Sequence, residues 1–199
     1  IVGDFDPDQV KTQLNKLIGN WTAPVPYEKI LYDSKPTATA VQSFDTPDKK
    51  GANVAMGQTF KFQESDTRYP ASRIAGLVWG QGATSRLINR LRQKDGLSYG
   101  AGGSIRADAK SDLGYISASA ICAPENVAKA IVAIREEAAK FAKDGITEQE
   151  LKDGKIAYAE QRRNALTRDG VIMDLIGRNL DLGRTLAFNK ELDQKISAL

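Results

Sequence analysis

Thr84-Ser-Arg-Leu-Ile-Asn-Arg-Leu-Arg-Gln-Lys-Asp-Gly-Leu-Ser-Tyr-Gly100 is the stretch on which the fold turns. Thr84 or Ser85 can cap a short helix whose Leu87, Ile88 and Leu91 share an inward face, and Gly96 ends it. Alternation then takes over: Leu97, Tyr99, Ala101, Gly103 and Ile105 fall on one side of a strand predicted over 97–105. The helix-to-strand turn carries two hydrogen-bond donors, the Arg92 guanidinium in the last helical turn and the Tyr99 phenol at the strand's start. The chain has no histidine, so the commonest general base and metal ligand is missing. A site here would assist chemistry whose acid, base or metal lies elsewhere.

Working outward, residues Asp108 to Asp112 form a turn into a second strand, 113–122, whose Ser117, Ala118, Ser119 and Ala120 are small enough for helices to approach closely. Val127, Ile131, Ile134, Ala138 and Phe141 recur at helical spacing, predicting a helix over 124–143 that Gly145 ends. Thr147-Glu-Gln-Glu150 is a capping box, with Ile146 and Leu151 placed as its hydrophobic staple, and starts a helix to about Leu166. Asp169 is placed to cap a last helix through Leu182.

On the N-terminal side, Tyr69-Pro70 opens a helix through Trp79 that Gly80 and Gly82 interrupt. Strands near 37–44 and 52–62, joined by the turn-like Thr46-Pro-Asp-Lys-Lys-Gly51, read as a hairpin, and residues 22–36 as an extended connection. Before them, an opening strand at Ile1–Phe5 leads into a helix capped by Asp6-Pro7, with Val10, Leu14, Leu17, Ile18 and Trp21 on one face. The pattern predicts an α+β two-layer sandwich: a mixed or antiparallel sheet of about five strands with helices on one face. Residues 1–199 are expected to be a single domain cut from a longer polypeptide, since the chain opens without methionine on a strand already under way.

Composition excludes several classes of function. The 28 basic and 25 acidic residues are interspersed, without the clustered stripe of a nucleic-acid binder, so no nucleic-acid partner is expected. A single cysteine, Cys122, allows neither an internal disulfide nor a cysteine-based metal cluster. No apolar run approaches the ~18 residues of a membrane span.

Gly96-Leu-Ser-Tyr-Gly100 matches a G-x-S-x-G nucleophile elbow centred on Ser98, but an elbow needs a strand entering a helix and a base for the serine proton, and here a helix enters a strand. Gly80-Gln-Gly-Ala-Thr-Ser85 resembles a degraded dinucleotide fingerprint, yet the segment before it reads as helix, which favours a helix–glycine–helix turn. Cys122 reads as a small buried hydrophobe, and the Glu136-Glu137 and Arg162-Arg163 pairs as solvated helix faces. Arg92 and Tyr99 each have a structural reading, a cation beside helix-terminal carbonyls and a core tyrosine. Both also suit a pair of donors aimed at one carbonyl oxygen.

The segment Trp79-Gly-Gln-Gly-Ala-Thr-Ser-Arg-Leu-Ile-Asn-Arg-Leu-Arg-Gln-Lys-Asp-Gly-Leu-Ser-Tyr-Gly100 resembles the signature of the second, non-catalytic domain of pitrilysin/insulinase-type zinc metallopeptidases, the inverzincins. Val2-Gly-Asp-Phe-Asp6, Trp21, Tyr69-Pro70 and Gly145-Ile-Thr-x-x-Glu-Leu151 leading into Lys155 extend the likeness over nearly the whole chain. In such enzymes related halves close around the substrate, and one half carries an H-x-x-E-H zinc motif that this chain lacks. The resemblance implies a partner domain with no peptidase activity and no catalytic or metal-binding residue of its own. It would close the chamber beside a homologous zinc-carrying domain, with Arg92 and Tyr99 reaching the backbone of a peptide substrate. It equally allows an assembly subunit of a catalytically inactive relative, and a bacterial periplasmic or cytosolic origin.

Overall fold

Three antiparallel strands form the sheet, in the spatial order β1 (Ala52–Phe60), β3 (Gly114–Cys122), β2 (Ser98–Ala107). The structure, a computed structural model, describes residues 1–32, 34–35 and 37–199. Its helices are α1 (Pro7–Ile18), α2 (Tyr69–Gly76), α3 (Arg86–Ile88), α4 (Val127–Asp144), α5 (Glu148–Ala165), α6 (Asp169–Asp181) and α7 (Ala187–Ser197). β2 and β3 are the expected hairpin, whose turn is closed when Asp108 Oδ1 accepts the N–H groups of Lys110 and Ser111 at 2.8 and 2.6 Å.

One face of the sheet is covered. Ala118, Ala120 and Cys122 of β3 lie opposite Met56, Val54 and Ala52 of β1, and against this row pack Trp79, Leu87 and Leu91 with Ala130, Ala133 and Ile134 of α4. Small strand residues let the helices sit close, while each fully buried leucine or isoleucine contributes about 2 kcal/mol of transfer free energy. A second cluster joins Ile74, Leu77 and Val78 to Ile196, with Ile146, Leu151, Tyr158 and Leu192 around it. The capping box is present in both directions, Glu150 N–H to Thr147 Oγ1 at 3.2 Å and Thr147 N–H to Glu150 Oε2 at 2.8 Å, and Ile146 and Leu151 fix the start of α5 to this second cluster.

Several expectations are corrected. The sheet has three strands among the described residues instead of about five, because neither Ile1–Phe5 nor 37–44 joins a ladder and the hairpin around Thr46–Gly51 does not form. The alternating Thr37-Ala-Thr-Ala40 offers little apolar area to bury, and α1 buries none of its residues, leaving Leu17, Ile18 and Trp21 in solvent. The connection 22–36 includes residues 33 and 36, outside the described residues. Elsewhere it is irregular, tied by Lys29 Nζ to Asp181 at 3.0 Å and by Tyr32 N–H to Ser111 Oγ at 3.0 Å. Asp169 is the first residue of α6, with Arg168 in the cap position and no side-chain cap bond. Helix α7 lies outside the expected elements, although Phe188, Leu192 and Ile196 repeat every fourth residue. The charged and amide residues between them mask the stripe.

Candidate functional site

The segment 79–100 folds through two wide turns. Leu77–Gln81 and Asn89–Lys94 are π-helical, a geometry that inserts an extra residue and re-aims the chain beyond it. In the first, Gly80 meets the backbone of β2 so closely that a Cβ there would collide with Gly103, while Trp79 Nε1 donates to Ser117 O at 2.7 Å. The Gly80-Gln-Gly82 motif is thus a helix-to-sheet packing joint. In the second, Asp95 N–H reaches Arg90 O at 3.0 Å and Leu97 N–H reaches Leu91 O at 2.8 Å. Gly96, at φ +61°, makes the left-handed step that turns the chain into β2.

A β-bulge comes immediately after it. Ser98 lies opposite Cys122 and Gly100 opposite Ile121, so Tyr99 is an extra residue with no partner in the ladder. The nearly buried Ser98 holds it in place: its Oγ lies 2.6 Å from Gly100 O and 3.0 Å from Ile121 O, and accepts the Gly100 N–H at 3.1 Å. The alternation placing Tyr99 with Ala101, Gly103 and Ile105 is broken here. Those three face the helices, whereas Tyr99 is 72% exposed. Ser98 is a structural hydroxyl of the bulge.

The three arginines of the segment separate by partner. Arg86 is clamped by Glu150 at 2.7 Å through both Nε and Nη2, donates to Gly145 O at 2.8 Å, and stacks over Phe141. Its hydrogen bonds hold the Glu150 carboxyl down at about 2 against an ordinary 4.5, although burial works the other way. Arg90 bridges Asp95 at 2.6 Å and Glu136 at 2.7 Å. Arg92 is exposed, and no carboxylate among the described residues lies within ion-pair distance of it. The segment therefore presents one uncommitted guanidinium and one exposed phenol on either side of the Gly96 turn.

Other sequence readings change with the structure. Glu137 is buried near Arg86, 3.9 Å from Nη1, and Arg162 is half-buried beside Asp193 at 3.4 Å, so neither pair is a uniformly solvated face. Cys122 is buried, and burial pushes its thiol up. Among the described residues no group of three or more His, Cys, Asp or Glu side chains could hold a metal ion. No described helix is long and apolar enough to cross a membrane. The bulge could have been suspected from Gly96 and Gly100, two residues to either side of Ser98, since glycines most readily leave a strand's alternation.

Fold and site together describe an α+β domain with a polar, exposed turn at one end of its sheet. The chain belongs to the family described as Peptidase M16 inactive domain, matched over residues 1–158. It is similar to a Helicobacter pylori protein described as "Non-peptidase homolog YmxG", 24% identical over 99% of this chain and 45% of that one. It thus spans about half the length of that curated relative. Among solved structures it is similar to a protease from Helicobacter pylori, with TM-score 0.72 and 19% identity over 100% of this chain and 48% of that one. A further match is a peptidase M16 inactive domain from Pseudomonas fluorescens, with TM-score 0.66 and 19% identity over 76% of this chain and 35% of that one.

Proposed function

We propose that residues 1–199 act as one domain of a longer zinc-dependent peptidase, closing the substrate chamber and holding peptide backbone beside a zinc carried by a homologous companion domain. Arg92 and Tyr99 are the residues assigned to that contact. Peptide hydrolysis places negative charge on the scissile carbonyl oxygen, and a preorganised donor aimed at it lowers the barrier by about 3 kcal/mol. The phenol supplies a single donor for the oxygen as it charges, and the guanidinium fork also holds the neutral carbonyl of the bound peptide. The observation carrying this assignment is the partition of the arginines: Arg86 and Arg90 are committed to carboxylates, while Arg92 is exposed ahead of the Gly96 turn and the bulge after that turn leaves Tyr99 in solvent.

A second reading, favoured by the likeness to a non-peptidase homolog over 99% of the chain, is a structural domain of an inactive relative. Cleavage of a quenched fluorescent peptide by the longer parent protein separates the two. Under the first, Arg92→Ala lowers kcat and raises KM together, because ground-state and transition-state binding are both lost. A parent that cleaves no peptide supports the second.

A further inference from the structure

Away from the Arg92–Tyr99 turn, a cavity of about 560 Å³ opens between α2, α5, α6, α7 and the far end of β2. Tyr99 and Arg106 stand seven residues apart on β2, about 23 Å at the usual strand rise, so the two places are separate. Five arginines line the cavity, Arg73, Arg106, Arg162, Arg178 and Arg184, against two carboxylates, Glu64 and Asp193, and no lysine is among the lining residues.

The two acids are already taken. Buried Glu64 accepts Arg178 Nη2 at 2.8 Å, Arg184 Nη1 at 2.7 Å and the Tyr69 hydroxyl at 3.3 Å. Asp193 accepts the Tyr158 hydroxyl at 2.7 Å and Arg162 Nε at 3.4 Å. Arg73 and Arg106 are left with no carboxylate in ion-pair range among the described residues, and the lining keeps an excess of three positive charges. The wall also has apolar faces, Leu77, Leu175 and Phe188, the last with the Arg184 guanidinium stacked 3.6 Å above its ring centroid. Guanidinium forks of fixed geometry suit planar or tetrahedral oxyanions better than solvated lysines do, and the volume falls in the range of small-molecule sites.

We propose that this cavity binds a small polyanion carrying at least two phosphate or carboxylate groups, with Arg73 and Arg106 as its primary ligands and the Glu64-held Arg178 and Arg184 as a preset rim. Fixing those two arginines on Glu64 removes side-chain freedom that a ligand would otherwise have to remove.

Calorimetric titration of the 199-residue chain tests it, with inorganic tripolyphosphate in one arm and citrate in the other. Saturable one-to-one binding of either is expected, the stronger arm identifying the anionic group. Arg106→Gln, at an exposed strand end where folding is undisturbed, should weaken binding about tenfold, and Arg73→Ala with Arg106→Ala further still. Lys11→Ala with Lys16→Ala, which removes two charges from exposed α1, should leave it within about twofold, since neither residue lines the cavity and exposed charges are screened by salt. No saturation in either arm, or equal loss in the α1 control, would overturn the proposal.

Discussion

The middle and the start of β2 are both rich in glycine and serine, yet they behave in opposite ways. At the middle, Gly103 is pressed against Gly80, Trp79 and Leu87, and any Cβ would have to displace backbone. At the start, Ser98 closes a bulge and Tyr99 stands in solvent. Small residues serve tight packing in the first place and a local departure from it in the second. The fixed middle makes a rigid platform, and the bulge presents from that platform a side chain that packing does not need. If this contrast holds, substitutions should divide sharply into those that damage the fold and those that damage only the proposed contact.

The largest effect is expected at the joint. Gly80→Ala should cost about 3 kcal/mol or more in urea unfolding of the 199-residue chain, because the obstruction is the β2 backbone and cannot rotate away. A loss below about 1 kcal/mol would mean that helix and strand are less closely coupled than described.

Next comes the Arg86–Glu150 clamp, which anchors the same helical segment. The Glu150 carboxyl titrates at about 2 when folded against an ordinary 4.5. A depressed folded value stabilises fully above the unfolded pKa and is lost as pH falls, so this contribution should be complete above about pH 4.5 and fade toward pH 2. Allowing for partial exposure, Glu150→Gln should cost about 2 kcal/mol at pH 7 and much less near pH 2.5, read from unfolding curves at both.

Ser98→Ala should cost about 1 kcal/mol, leaving Gly100 N–H without its partner, and should shift the amide resonances of Tyr99 and Gly100 in a nitrogen–proton correlation spectrum. Unchanged resonances would remove Ser98 from its bulge-holding role. Smallest of all, Arg92→Ala and Tyr99→Phe should each stay within about 0.5 kcal/mol of the parent chain, as expected of exposed side chains outside the core.

Sequence reading succeeded where periodicity and local chemistry coincide. The apolar repeat of α4, the Thr147–Glu150 box and the Asp108 turn lie within about three residues of their expected bounds because each is decided by neighbours in sequence. It failed where distant partners decide. Turn residues at Thr46–Gly51 suggested a hairpin, but 37–44 carries too little apolar surface to compel pairing with β1. The π-helical turns and the Tyr99 bulge depend on the approach of Gly80 to Gly103 and on a hydroxyl-to-backbone bond, neither of which leaves a period in the sequence. Of the proposed site, the resemblance supplied the residues and the structure their setting, including the bulge that sets Tyr99 apart from the core-facing residues after it.

Tyr99→Phe in the longer parent protein tests the central claim most directly, measured as steady-state peptide cleavage beside a thermal melt. The account predicts that kcat falls about 10²-fold with KM nearly constant and an unchanged melting temperature, because the phenol acts on the developing oxyanion. Unchanged kcat/KM, or lost activity that simply tracks a lowered melting temperature, would contradict it.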